Sequence, residues 1–393
     1  MSMKLYPNLV RAVDQALRDI VERPYPADKV LARLFKQSPQ WGSRDRSFVA
    51  ETTYDILRYL RRYADPAKPP IYWPNVIGWH LRSVGYELPD WEEWHHLPEP
   101  PYDWDAPDCP LAVRESISDW MDEKGRTNYG DRWPDLLHAL NQPADVILRV
   151  NPVKATATEV MQALLKVGLE AEILAPLAIR LTRRANVFRL PAFRDGWFEV
   201  QDFASQQVAT ALDPQPGQRV VDGCAGAGGK TLQIAGLMAN RGQIIALDPD
   251  EWKLKELRQR ASRAGLDNIQ TKISTDTKSV KRLHGSADRV LLDVPCTGSG
   301  VLRRNPDAKW RIDQELLDRC LGLQRTILDQ YAPVCKPGAR MVYATCSIFR
   351  EENQDQIKRF LADHPSFSLI EEAQLLPDEF GYDGFFIAVL QAP

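Results

Sequence analysis

RVVDGCAGAGGKTLQIAGLMANRGQIIALD, residues 219–248, contains two short apolar runs that each end in an aspartate, with a glycine-rich turn and a helix-length stretch between them. RVVD at 219–222 and IIALD at 244–248 read as buried strands, and the segment after the turn reads as a helix. The alternation continues downstream. A helix is expected over Glu251–Ala264, IQTKIS leads to Asp276, RVLLD at 289–293 leads to Cys296, and RMVYAT at 340–345 leads to Cys346. This predicts an α/β fold: a doubly wound, mostly parallel sheet with right-handed crossovers. FFIAVL near the C-terminus is expected to add an edge strand.

The turn decides what such a sheet can hold. Gly223, Gly226, Gly228 and Gly229 let a ligand lie close to the backbone at a helix N-terminus. It is not a nucleotide phosphate loop, which would need glycine where Cys224 stands, nor a dinucleotide fingerprint, because Thr231 occupies the place of its third glycine. Asp248 ends the second strand, where a carboxylate accepts hydrogen bonds from both hydroxyls of a ribose, or caps the next helix. Asp276 ends the third strand, facing an adenine or solvent. Together these strand ends describe a nucleoside site, and S-adenosylmethionine fits it if the remaining motifs handle a base.

Those motifs are two cysteines at strand ends, Cys296 in DVPCTGSG and Cys346 in YATCSIF. A free cysteine is more often inert packing than a reactive group, but paired thiols at the carboxyl ends of strands stand where open sheets place their chemistry. Cys320 lies on the apolar spacing Leu316, Leu323, Ile327 and reads as core, and Cys109 and Cys335 are read as packing too.

Composition bounds the rest. The chain has 393 residues, 44% hydrophobic and 26% charged, which suits a globular protein of two or three domains. No apolar run reaches the roughly 18 residues of a membrane span, and the N-terminus lacks the apolar centre of a secretory signal. Six scattered cysteines without a C-x-x-C pair point to reduced thiols in the cytoplasm. A net charge of −3 means that any nucleic-acid footprint must come from local patches. His95-His96 lacks the further ligands of a zinc site, so no metal is expected.

Upstream of the alternating region, three stretches differ in character. Residues 1–65 read as helices, with Leu9, Val13, Leu17 and Ile20 on one stripe and Phe48, Thr52, Ile56 and Leu60 on another. Residues 66–130 are rich in proline and acidic groups and carry Trp73, Trp79, Trp91, Trp94, Trp104 and Trp120, which suggests a connector packed onto its neighbours. Residues 131–200 read as a small α/β module, with a strand at VILRVN, a helix through TEVMQALLKVG and short strands at EAEILA and AIRLTRR. The basic run RLTRRANVFRLPAFR suits single-stranded RNA or an ordinary solvated loop.

DVPCTGSGVLRRNPDAKW, YATCSIFREEN, the CAGAGGKT turn, VQDFASQQVA before it and DGFFIAVL at the end together resemble the RsmB/Sun family of RNA cytosine-5 methyltransferases. SISDWMDEKG and ALNQPADVILRVN extend the similarity upstream, and the N-terminal helices resemble that family's NusB-like RNA-binding domain. The resemblance implies a class I, Rossmann-like methyltransferase domain over 201–393 that uses S-adenosylmethionine. It implies Cys346 as the thiolate that attacks C6 of cytosine, Cys296 as the group that releases the product, and Asp293 on the N3/N4 edge of the base. Cys224, Ala225, Gly226, Ala227, Gly228, Gly229, Lys230, Asp248, Asp276 and Asp293 would hold the methyl donor. The family's turn usually reads C-A-A-P-G-G-K, so Gly226-Ala227 is a departure that bears on cofactor affinity.

Arg303, Arg304, Lys309 and Arg311 follow Cys296 closely and suit phosphates flanking a flipped base. Ribosomal RNA is the favoured partner, transfer RNA the second, and a monomer is expected. A protein of another class, an RNA-binding assembly factor without turnover, would not need the intact cysteine pair.

Overall fold

The computed structural model describes residues 4–274 and 277–393. They form two compact units, Met1–Gln142 with Leu302–Leu316, and Pro143–Val301 with Leu317–Pro393.

The first unit is helical. Pro7 opens the helix Pro7–Leu17, where its missing amide costs no helical hydrogen bond. The Ser118 side chain accepts the Met121 amide at 3.2 Å to start Asp119–Tyr129. Leu9, Val13, Leu17 and Ile20 share one core with Ile56, Leu57 and Leu60 of the helix Ser43–Tyr63. Each such burial contributes about 1.5–3 kcal/mol. Trp73, Val76, Ile77 and Leu81 of the helix Trp73–Ser83, together with Trp94, enter the same core. Part of the stretch read as a connector over 66–130 is therefore integral to the helical core. So is a piece of chain from far downstream, Leu302–Leu316, which includes the short helix Pro306–Trp310.

The second unit starts with an antiparallel sheet of β1 (Ile147–Val150), β2 (Ala171–Ala175), β3 (Ala178–Leu181) and β4 (Phe198–Val200), in the order β2-β3-β1-β4. The helix Ala157–Leu165 covers it, burying Val160 and Leu164. Its N-terminus carries a reciprocal cap, in which Glu159 accepts the Thr156 amide at 2.7 Å and the Thr156 hydroxyl accepts the Glu159 amide at 3.3 Å.

The larger sheet has seven strands: β5 (Arg219–Asp222), β6 (Gln243–Asp248), β7 (Ile269–Ile273), β8 (Ala287–Asp293), β9 (Cys335–Thr345), β10 (Ser368–Leu375) and β11 (Phe385–Gln391). Their order is β10-β11-β9-β8-β5-β6-β7, with β9 through β7 parallel and β11 antiparallel to both neighbours. FFIAVL is thus an interior strand rather than the expected edge. All six residues are buried, as a strand covered on both faces requires. The edge is β10, whose polar SLIEEAQL lacks the apolar run that marks the other strands. Strand order reverses at β5, which has β6 on one side and β8 on the other, so a crevice opens at the carboxyl ends of β5 and β8.

Candidate active site

The turn after β5 is closed by Asp222. Its buried carboxyl accepts the Thr231 hydroxyl at 2.6 Å and the Cys224 amide at 3.3 Å. Burial raises Asp222 to about 7. Gly228 has φ +88°, and a Cβ there would lie 2.5 Å from Cγ of Leu257, so the start of the helix Gly229–Leu237 needs glycine. Gly226 has φ +54° with open space where a side chain would project.

The Ala225 amide donates to Leu247 O at 2.9 Å, and Ala227 O accepts from Arg260 at 2.8 Å. Gly229 O accepts a hydrogen bond from Arg149 of β1, a fully buried guanidinium that burial lowers to about 10. Arg260 also bonds Glu199 of β4 at 3.1 Å, so the antiparallel module braces the turn at two carbonyls. Cys224 is flanked by Asp222, Asp293 and Asp248, and burial followed by these charges pushes its thiol well above the usual range. Its place in the turn is one of size, not reactivity.

Asp248 sits at the tip of β6, its Oδ2 accepting the Gly226 amide at 3.0 Å and its Oδ1 the Asp250 amide at 2.9 Å. Oδ1 also pairs with Nζ of Lys253 at 3.8 Å, which leaves Oδ2 as the oxygen with a further lone pair. A carboxylate with free acceptor capacity, open space over Gly226 and a nine-residue helix starting at Gly229 fit the ribose and amino-acid ends of S-adenosylmethionine. Asp276 lies outside the described residues.

Register brings the cysteines together. β8 and β9 are parallel neighbours with Asp293 opposite Ala344, so Cys296 and Cys346 leave adjacent strand ends and their sulfurs lie 3.4 Å apart. The Cys346 carbonyl accepts the Gly300 amide at 2.9 Å, and the Gly300 carbonyl accepts the Gly384 amide at 2.8 Å. A Cβ on Gly300 would stand 2.2 Å from the Gly384 oxygen, so the two loops meet only because residue 300 has no side chain.

The hydrogen bond with Cys346, then burial, then the nearby charges of Cys346 and Glu352 hold the Cys296 thiol well above its usual range. Cys296 therefore keeps its proton at neutral pH. Asp293 is 30% exposed, and its Oδ2 lies 2.7 Å from Nζ of the nearly buried Lys230, which also sits 5.0 Å from the Phe385 ring centre. The structure thus gathers Cys296, Cys346, Asp293, Lys230, the glycine turn and Asp248 around the carboxyl ends of β5, β6, β8 and β9.

The basic residues after Cys296 are placed differently from expectation. Lys309 is fully buried in the helical unit, where Nζ donates to Arg58 O at 2.8 Å, Ser116 O at 3.2 Å, Glu115 O at 3.3 Å and the Asn141 side chain. Burial drives its ammonium well below the lysine range. Arg303 is buried with Nε directed at Gln142 O, and Arg311 pairs with Asp307 at 2.8 Å. These side chains secure Leu302–Leu316 within its own unit rather than lining a phosphate path; Arg304 is half-buried. Cys320 and Cys335 are raised by burial to about 11 and about 12, in keeping with packing.

Glu352 and Arg149 are buried charged groups near the site that the sequence pattern does not mark as such. Glu352 accepts four hydrogen bonds beside the cysteines, and its only signal was its place in FREEN just beyond Cys346. Arg149 braces the turn, and the signal was an arginine inside the apolar run VILRV.

Comparison with known proteins agrees with this geometry. Residues 209–391 match the family described as 16S rRNA methyltransferase RsmB/F, and residues 117–188 match the ferredoxin-like domain of the RsmF/B-like methyltransferases. A probable ribosomal RNA small subunit methyltransferase B of Synechocystis is 37% identical over 302 residues, covering 72% of this chain and 68% of that protein. The chain spans about two thirds of the length of the curated relatives it matches. The crystal structure of PH0851 superposes with a TM-score of 0.83 at 27% identity, covering 99% of this chain and 100% of the other. A methyltransferase homolog from Pyrococcus horikoshii gives a TM-score of 0.65 at 30% identity, covering 72% of this chain and 98% of its own.

Proposed function

The chain belongs to the RsmB/F family of methyltransferases, whose methyl donor is S-adenosylmethionine, and from that premise we propose that it methylates C5 of a cytosine in RNA through a covalent enzyme–base adduct. The names of its relatives favour small-subunit ribosomal RNA as the substrate. The observation that carries the reading is the pair of thiols 3.4 Å apart beside the Lys230–Asp293 ion pair.

Cytosine C5 is a weak nucleophile. A thiolate adding to C6 pushes the C5–C6 π electrons onto C5 and the conjugated ring, which makes C5 enamine-like. We assign this attack to Cys346. Asp293, with one oxygen held by Lys230, keeps its other oxygen for the N3/N4 edge of the base and fixes the ring, while the Lys230 ammonium beside it counters the negative charge that develops there. When bound, S-adenosylmethionine supplies an electrophilic methyl group on sulfonium sulfur, and C5 takes it. The C5 proton must then leave, so that its electron pair restores the C5–C6 double bond and expels the sulfur of Cys346. Cys296 is assigned to that release: once the sulfur of Cys346 is bound to C6, the neighbouring charge that helps hold Cys296 protonated is gone, so Cys296 gives its own proton to solvent and as thiolate takes the C5 proton. A thiol held protonated is a poor nucleophile and a strong base once ionised, which supports giving the attack to its neighbour.

Attack at C6 needs access to the ring face, so the target base is flipped from its stack. We assign the helical unit and the antiparallel module to holding the surrounding RNA, with exposed Phe188 in the basic run over 180–194 as a stacking candidate. The test is methyl transfer from isotopically labelled S-adenosylmethionine to small-subunit ribosomal RNA. Cys346→Ala should abolish it, a loss of at least about a thousandfold as for removal of a nucleophile. Wild-type turnover in that variant would overturn the assignment.

A further inference from the structure

Glu352 is fully buried, and no step above uses it. Oε1 accepts the Thr297 amide at 2.8 Å and the Gln324 side-chain amide at 2.9 Å, and Oε2 accepts the hydroxyls of Thr297 and Ser347. Thr297 directly follows Cys296, and Ser347 directly follows Cys346. One carboxylate thus holds the residue next to each thiol, and the roughly four acceptor sites of an ionised carboxylate are all used. Around it, the Ser347 and Ser299 hydroxyls lie 3.0 Å apart, Ser299 accepts the Ile348 amide at 3.0 Å, and the Tyr343 hydroxyl donates to Glu352 O at 2.6 Å. Burying an unpaired carboxylate costs several kcal/mol, so an apolar side chain would serve plain packing better. The cost is offset here by donors drawn from both cysteine loops.

We propose that Glu352 is a positioning residue that sets the separation of the Cys296 and Cys346 thiols by clamping Thr297 and Ser347. The inference rests on the paired cysteine roles proposed above. Glutamine is close to isosteric: its carbonyl can accept from the Thr297 and Gln324 amides while its NH2 donates to the two hydroxyls, which then act as acceptors. Glu352→Gln therefore keeps the clamp and removes the charge, whereas Glu352→Ala removes the clamp.

The direct readout is the rate at which diamide, a diazene oxidant, links the two thiols in the full-length protein, measured by mass spectrometry of the Cys296–Cys346 peptide pair. Two thiols give up two hydrogens, the diazene becomes the hydrazine, and one S–S bond forms. A displacement of about 1 Å costs on the order of a hundredfold in a positioned reaction, so Glu352→Ala should slow disulfide formation at least about tenfold and lower kcat about a hundredfold, with KM for S-adenosylmethionine within about threefold. Glu352→Gln should keep both rates within about threefold of wild type. Should Glu352→Ala lack a cooperative unfolding transition, Ser347→Ala removes one arm only and should still slow disulfide formation measurably.

Disulfide formation at the wild-type rate in Glu352→Ala, or in Ser347→Ala if that variant must stand in, would overturn the proposal. So would a Glu352→Gln variant as slow as Glu352→Ala, because charge rather than positioning would then be the cause. The disulfide rate does not depend on which cysteine attacks or on the RNA used. A fully active Cys346→Ala would therefore sink the catalytic assignment and leave this result standing.

Discussion

Lysine 309 and cysteine 296 show how burial reassigns a side chain. Lys309 lies thirteen residues after Cys296 in a basic stretch, and proximity alone suggested a phosphate contact. Its ammonium instead serves three backbone carbonyls and Asn141, all within the helical unit. Lys309→Met would take a shared donor from these buried acceptors, of which Glu115 O keeps a bond from the Asn141 amide at 2.7 Å, and stranding buried polar groups of this kind costs about 3–5 kcal/mol. Thermal or denaturant unfolding should therefore show a large loss of stability. A variant that kept wild-type stability and lost about one unit of salt dependence in RNA binding would restore the phosphate reading. For Cys296 the same physics acts on a thiol: the neighbouring sulfur and burial favour the neutral form. A sequence displays the residue type and not its surroundings, so the sequence reading missed Glu352 and Arg149, though Asp248 and the cysteines were legible from their places at strand ends.

Elements are legible when their burial is two-sided. RVVD, IIALD, RVLLD and RMVYAT stood out because a parallel strand covered on both faces is apolar throughout. β10 did not, because its first five residues are exposed and Glu371 and Glu372 interrupt any apolar pattern. Without a recognisable β10, the sequence offers FFIAVL a partner on one side only and places it at the edge. The sequence places both cysteine loops at strand ends, but not how closely they approach, since that depends on the contact of Gly300 with Gly384 and Cys346. Gly300→Ala should force these backbones apart. A clash with backbone at 2.2 Å cannot be relieved by a side-chain rotation, so a loss of about 1–3 kcal/mol in stability and a kcat reduced on the order of a hundredfold are expected. Unfolding curves and single-turnover methylation measure the two effects. Unchanged turnover would mean that the loops tolerate separation.

At the scale of the whole molecule, the division of labour follows chain topology more than chain order. The helical unit takes in Leu302–Leu316 from between β8 and β9, so the segment that follows the Cys296 loop is anchored in a different core from the loop itself. The expected boundaries at 65 and 130 missed this because proline and tryptophan content marks local irregularity, while membership of a core depends on contacts distant in sequence, such as Trp73 and Trp94 with Leu17 and Leu60. The antiparallel module likewise reaches the glycine turn through Arg149, and through Glu199 by way of Arg260. With a net charge of −3, the chain must recruit RNA through local patches, and its affinity should depend on salt accordingly. The central claim is that Cys346 attacks and Cys296 releases. The most direct test combines Cys296→Ala, S-adenosylmethionine and substrate RNA in the intact chain, followed by nuclease digestion and peptide mapping. The account predicts a stable adduct carrying a methylated cytosine nucleotide on the Cys346 peptide; an adduct on any other residue, or free RNA released at the wild-type rate, would contradict it.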